Sequence, residues 1–175
     1  MRHTKRGLAL VGLVGALCCA ALMQGAASLS KTMAVQSTAQ TAMKKANGTT
    51  DASGVMYFPH EETAAAFKDS LMLYDGVPEK NYRVAVYHRD KGGEVEIHKK
   101  DTDVFYILEG SATFVTGGTI TGGKETAPDE VRVATMEGGV ARQIGKGDVI
   151  VVPANVTHWY KEVQQPITYF GVKVR

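Results

Sequence analysis

From residue 82 onward the sequence breaks into short runs of alternating apolar and polar residues, most of them closed by glycine. The runs are 82–88, 94–98, 103–108, 111–116, 119–120, 131–136, 141–144, 148–152, 158–163 and 168–174. Successive side chains of a strand point to opposite faces, so alternation with period two is the mark of a half-buried strand. Gly117-Gly118, Gly122-Gly123, Gly138-Gly139, and Gly145 with Gly147 supply the turns. Gly117-Gly118 reads as a tight hairpin between the runs 111–116 and 119–120. Nothing with helical periodicity lies between the runs. A parallel sheet needs such crossovers, which leaves an all-β sandwich or barrel. The 19 glycines against 5 prolines agree with a chain of many tight turns.

The region before these runs has three parts. Arg2, His3, Lys5 and Arg6 open a basic start, residues 8–23 are uncharged and apolar, and Gly25-Ala26-Ala27 offers small residues for cleavage. This predicts a signal peptide over 1–27 and an exported protein, periplasmic or secreted. An uncleaved segment would instead anchor the chain to the membrane, although sixteen apolar residues fall short of the ~20 a span needs. Cys18 and Cys19, the two cysteines of the chain, lie within it, so the cleaved protein relies on core packing rather than disulfides. Residues 28–52, rich in Ser, Thr, Ala, Gln and Lys, read as a disordered linker, with a folded domain over 53–175. Ala64, Phe67 and Leu71 have helical spacing behind Glu61 and Glu62, which predicts a short helix over 60–73. Net charge is +2, and the leader holds Arg2, Lys5 and Arg6, so the remainder is near neutral. No basic run survives to serve as a nucleic-acid footprint.

Two stretches carry the chemistry. In Glu96-Ile97-His98, residues two apart share a strand face about 6.6 Å apart. After a turn, Asp103 opens a returning strand with Phe105 and Ile107 on its side. A strand pair of this kind brings two carboxylates and an imidazole to one inner face, where they could surround a metal ion. The alternative is that the same residues form a hydrogen-bonded polar network filling the barrel, with His158 capping a strand. The second stretch runs from Gly147 through Pro153 and Asn155 to His158, a strand, a proline turn and a histidine opening the next strand. Parity places Tyr160 on the inward side with His158 and turns Trp159 away; Tyr106 and Leu108 face opposite to Asp103, toward a partner sheet or subunit. Tyr87, Phe105 and Tyr160 are the pocket-wall candidates. His60 and His88 read as surface residues, and Lys99 and Lys100 as solvated.

Together the two stretches resemble the paired motifs of the cupin superfamily. Counting back six residues from Gly110 puts Asp103 at the family's glutamate, with His98 and Glu96 at its two first-motif histidines. Gly147, Pro153 and His158 match the second motif, with Asn155 in place of a glycine. Asn tolerates positive φ better than other non-glycine residues, so that departure is mild. The resemblance implies a double-stranded β-helix, a jelly-roll barrel, and one divalent ion held by His98, Asp103, His158 and Glu96. The family's usual set is three histidines and a glutamate. The extra carboxylate here hardens the site and favours iron, manganese or zinc over copper. Glu96, where it is not a ligand, becomes a candidate catalytic base. The functional expectation is a metal-dependent enzyme, dioxygenase- or isomerase-like, acting on a small organic molecule; the alternative is a barrel that binds a small ligand, or serves structure, without turnover. A homodimer is the oligomeric state the resemblance implies. Residues 111–146, separating the motifs, read as an elaborated loop with an extra strand, a surface flap or dimer contact at the barrel mouth.

Overall fold

A computed structural model describes residues 43–175; the segment read as a signal peptide and most of the one read as a linker lie outside the described residues. The elements in chain order are β1 (Thr49–Thr50), β2 (Met56–Tyr57), α1 (His60–Asp69), β3 (Met72–Asp75), β4 (Tyr82–Arg89), β5 (Val95–His98), β6 (Thr102–Thr116), β7 (Lys124–Ala127), β8 (Glu130–Val133), β9 (Val140–Gly145), β10 (Val149–Val152) and β11 (His158–Val174). Among the described residues no helix is long and apolar enough to cross a membrane.

Two long antiparallel strands, β6 and β11, form the spine of a curled sheet. On its outer side β6 pairs first with β10 and then, past Gly110, with β9. β11 pairs with β5 at His158 and with β4 from Ile167 to Val174. Beyond β5 the sheet continues through β8 to β7, and β3 adds to the free side of β4. The fold is therefore all-β and cupin-like, as expected, a curled half-barrel sheet with one short helix.

Several elements differ in extent from the sequence reading. The runs 103–108 and 111–116 are one strand. Gly110 sits between them with φ +80°, and a Cβ there would run into the Pro166 carbonyl oxygen. The glycine thus allows β6 to pass a bulge in β11, where the register shifts between Gln165 and Thr168, instead of ending the strand. The runs 158–163 and 168–174 fuse in the same way. Gly117 and Gly118 do turn the chain, both at positive φ, but Thr119 makes only an isolated bridge to Glu137. The partner of β6 here is β9, after the excursion that holds β7 and β8. The helix stops at Asp69 because Ser70 takes a left-handed conformation, φ 53°, and residues after it enter β3. Within the segment read as linker, Lys44 and Ala46 exchange backbone hydrogen bonds with Met72.

Strand parity divides the packing into two clusters. Phe105, Ile107, Ala112 and Phe114 of β6 meet Tyr160, Ile167 and Tyr169 of β11 inside the barrel. Outside it, Ala66 of α1, Leu73 and Val86 form a second cluster. β4 thus alternates between layers: Val86 faces the helix, while Tyr87 and Arg89 line the barrel cavity.

Candidate metal centre

Three elements deliver the donors. Glu96 and His98 come from β5, His158 opens β11 opposite Glu96 in register, and Asp103 lies near the start of β6. The sequence reading placed Asp103 on a strand paired with that of Glu96. In the structure β5 pairs with β8 and β11, and Asp103 pairs with Val152 and Lys173. Short turns still bring the four together. Asn155, at φ 65°, donates its backbone N–H to the His98 carbonyl at 2.8 Å, tying the proline turn before His158 to the end of β5.

His98, Asp103 and His158 are buried. Glu96, His98 and His158 each offer a donor atom within 4.8 Å of the others. Asp103 Oδ2 lies 3.4 Å from the Nε2 atoms of both histidines, and Glu96 Oε2 lies 3.5 Å from His98 Nε2 and 4.0 Å from His158 Nε2. Donors bound to one ion at ~2.1 Å stand about 3.0–3.4 Å apart, so only small movements separate this arrangement from a coordinated one. His158 Nδ1 is placed to donate to the Val156 carbonyl at 3.2 Å, which leaves Nε2 as the lone-pair nitrogen aimed at the carboxylates.

The two carboxylates are held alike. Glu96 Oε1 takes Arg132 at 3.0 Å and Arg89 at 3.3 Å, leaving Oε2 toward the histidines. Asp103 Oδ1 accepts from Lys173 at 2.7 Å, while Oδ2 is buried without a hydrogen-bond partner. A buried carboxylate oxygen in that state is costly unless a cation or proton meets it. Burial alone would raise the Glu96 pKa, but its contact with His98 and the charges of Arg132 and Arg89 outweigh burial and hold it well below the usual carboxylate range. Burial lowers the His158 pKa, against the pull of Glu96 and Asp103, and favours the neutral imidazole a metal needs.

This cluster borders a cavity of about 270 Å³. Tyr87, Phe105 and Tyr160, the pocket-wall candidates, line it together with Arg89, Arg132 and Lys173, which the sequence reading did not single out. Tyr87, Tyr169 and Tyr160 stack at centroid distances of 4.8 and 5.0 Å, with Arg89 over Tyr160 at 4.8 Å. The Tyr160 hydroxyl is buried with no hydrogen-bond partner. The segment 126–130 turns as the β7–β8 hairpin and supplies Ala127, Pro128, Asp129 and Glu130 to the cavity rim. His60 is exposed, His88 pairs with Asp90 at 3.0 Å, and Lys99 and Lys100 reach only Glu125 and Asp129 near the surface.

The cupin sequence profile matches residues 81–174, more than half of the chain. The chain belongs to the cupin family. No curated protein matches it. Among solved structures this cupin is similar to the Schizosaccharomyces pombe Cnp3 cupin domain, with 16% identity and TM-score 0.43 over 60% of this chain and 59% of that one. It is similar also to a predicted oxalate decarboxylase from Thermotoga maritima, with 16% identity and TM-score 0.41 over 61% and 76%. A Neisseria meningitidis protein matches at 11% identity and TM-score 0.44 over 68% and 99%. The match thus spans less than two thirds of the S. pombe domain's length.

Two features of the cupin's own site agree with a resident divalent ion. The donor set of two imidazoles and two carboxylates suits iron, manganese or zinc, and the orphaned Asp103 oxygen faces the two histidine nitrogens. Of the residues that the sequence did not single out, Arg132 faces Glu96 only through the β5–β8 register, which no short motif encodes. Lys173 was within reach: it falls two and four residues after Gly171 and Tyr169, on the inward parity of β11.

Proposed function

We propose that this cupin is an exported, metal-dependent enzyme that acts on a small organic molecule. The observation that carries this reading is the pair of inward carboxylate oxygens, Glu96 Oε2 and the unpartnered Asp103 Oδ2, facing two histidine nitrogens at the side of a cavity. His98, His158 and Glu96 would hold the ion, with Asp103 as a fourth donor. Once bound, iron, manganese or zinc would supply Lewis-acid polarisation of a substrate oxygen or, for a redox metal, oxygen activation.

The chain's own residues define the rest. Arg89 and Arg132 fix one oxygen of Glu96, and its low affinity for protons suits it to ligation better than to service as a base. Tyr160 keeps its proton, because burial raises its pKa well above the ordinary value, and its unpartnered hydroxyl is available to donate to a substrate oxygen. Tyr87, Phe105 and Tyr169 shield the site from bulk water. A cavity of about 270 Å³ lies just below the ~300–1,000 Å³ typical of ligand pockets, which points to a small substrate.

The test is elemental mass spectrometry of the protein purified without chelators or a metal-binding tag. About one equivalent of iron, manganese or zinc per chain is expected, and His158→Ala should lose it. Full retention of metal by His158→Ala would remove this residue from the site. No metal in the wild type, even after incubation with each ion, would favour a barrel that binds without turnover.

We also propose a homodimer. Val149 and Val151 of β10 and Tyr106 of β6 are exposed, and Val149 sits beside Tyr106 in register, which makes an apolar strip on the outer face.

A further inference from the structure

The four cations around the cavity are not equivalent. Arg83 is taken up by Asp75 and Asp101. Arg89 and Arg132 bind Glu96 through Oε1, the oxygen turned away from the histidines, so neither obstructs an ion placed among the donors. Lys173 does. Its Nζ lies 2.7 Å from Asp103 Oδ1 and 2.8 Å from His98 Nε2. An ammonium has three donors and no acceptor, so it must donate to Nε2 and engage the lone pair that a metal would need. One lone pair cannot serve both partners.

Lys173 does not reach this place by chance of a long side chain. It is the cross-strand partner of Asp103 in the β6–β11 ladder, and its parity with Tyr169 and Gly171 directs it inward. Its side chain is 19% exposed, and the Asp103 carboxylate it neutralises is 1% exposed. A buried carboxylate with no counter-charge is strongly unfavourable, and the Lys173 ammonium is the counter-charge that lies against Asp103.

We propose that Lys173 is the barrel's own cation, holding His98 and Asp103 in the metal-free protein and yielding His98 Nε2 when a divalent ion binds. Metal uptake is then an exchange of one cation for another. The cost of moving the ammonium aside weakens the site's affinity, and the metal-free barrel stays folded. The side chain already lines the cavity, into which it can withdraw. This inference rests on the metal-site reading above.

The experiment compares the metal-stripped full-length wild type with Lys173→Met and Lys173→Gln. Each is titrated with Zn²⁺ and with Mn²⁺ against a chelating indicator and unfolded in urea with and without metal. Lys173→Gln can still donate to Asp103 and guards against a Lys173→Met chain that does not fold. Both variants are expected to bind metal at least about tenfold more tightly than the wild type, since a like charge has been removed from the site. Metal-free Lys173→Met should unfold at lower urea than the wild type, and loading should narrow the gap. A merely structural lysine would move affinity the other way. Equal or weaker affinity in the variants overturns the competition while leaving the metal site standing. No metal on any of the three proteins overturns both.

Discussion

Gly110 and Asn155 both adopt left-handed backbone, at φ 80° and 65°, for different reasons. At Gly110 the constraint is contact: a Cβ would strike the Pro166 carbonyl, so no rotamer relieves it. At Asn155 the constraint is conformation alone, because the position already carries a side chain. Gly110→Ala should therefore destabilise the barrel by about 2–4 kcal/mol, from strain and forced backbone movement together. Asn155→Gly should change stability by no more than about 0.5 kcal/mol. Urea unfolding of the two variants checks the contrast; equal effects would refute it. The same pair shows what a sequence can reveal. Asn155 was legible as a tolerated substitute in a motif. Gly110 was legible as glycine but misread as a strand end, since a turn and a bulge both ask for positive φ and only the opposite strand distinguishes them. At the candidate metal centre, His98, Asp103 and His158 could be singled out because motif spacing is local. Arg89 and Arg132 could not, because their contact with Glu96 depends on which strands pair.

At the scale of elements, β4 separates two functions by parity. Its Val86 face joins α1 and β3 in a cluster outside the barrel, and its Tyr87 and Arg89 face lines the cavity. Damage to the outer layer should therefore cost stability and spare the site. Leu73→Ala is expected to lose about 2–4 kcal/mol in urea unfolding. It should retain the wild-type metal content by elemental analysis at low temperature. Loss of metal from a variant that remains folded would mean the helix layer shapes the site directly. Period-two alternation made β4 readable from the sequence, whereas β3 was overlooked at the end of the stretch read as helix. The strand at 124–127 was missed because Lys124-Glu125-Thr126-Ala127 has no apolar alternation to show. It is held as a strand by pairing with β8, not by burial of one face.

For the whole molecule, export and assembly can be read in one measurement. Recovered from outside the cytoplasm, the protein should give a native mass spectrum of a dimer whose chains begin near Ser28. Val149→Lys combined with Val151→Lys should shift it to monomer by placing charge in the apolar strip of β10 and β6. An intact Met1 in a membrane fraction would contradict cleavage, and an unchanged dimer would move the interface elsewhere.

β11 supplies His158, Tyr160, Tyr169 and Lys173 and pairs with β4, β5 and β6. Every other part of the centre is made earlier in synthesis, between Tyr87 and Arg132, but cannot close without it. Contacts so far apart along the chain are slow to form. The centre therefore cannot be complete until β11 is in place. If export precedes folding, as proposed, the ion offered to the finished centre would be the one present at the chain's destination, whatever was abundant where it was made.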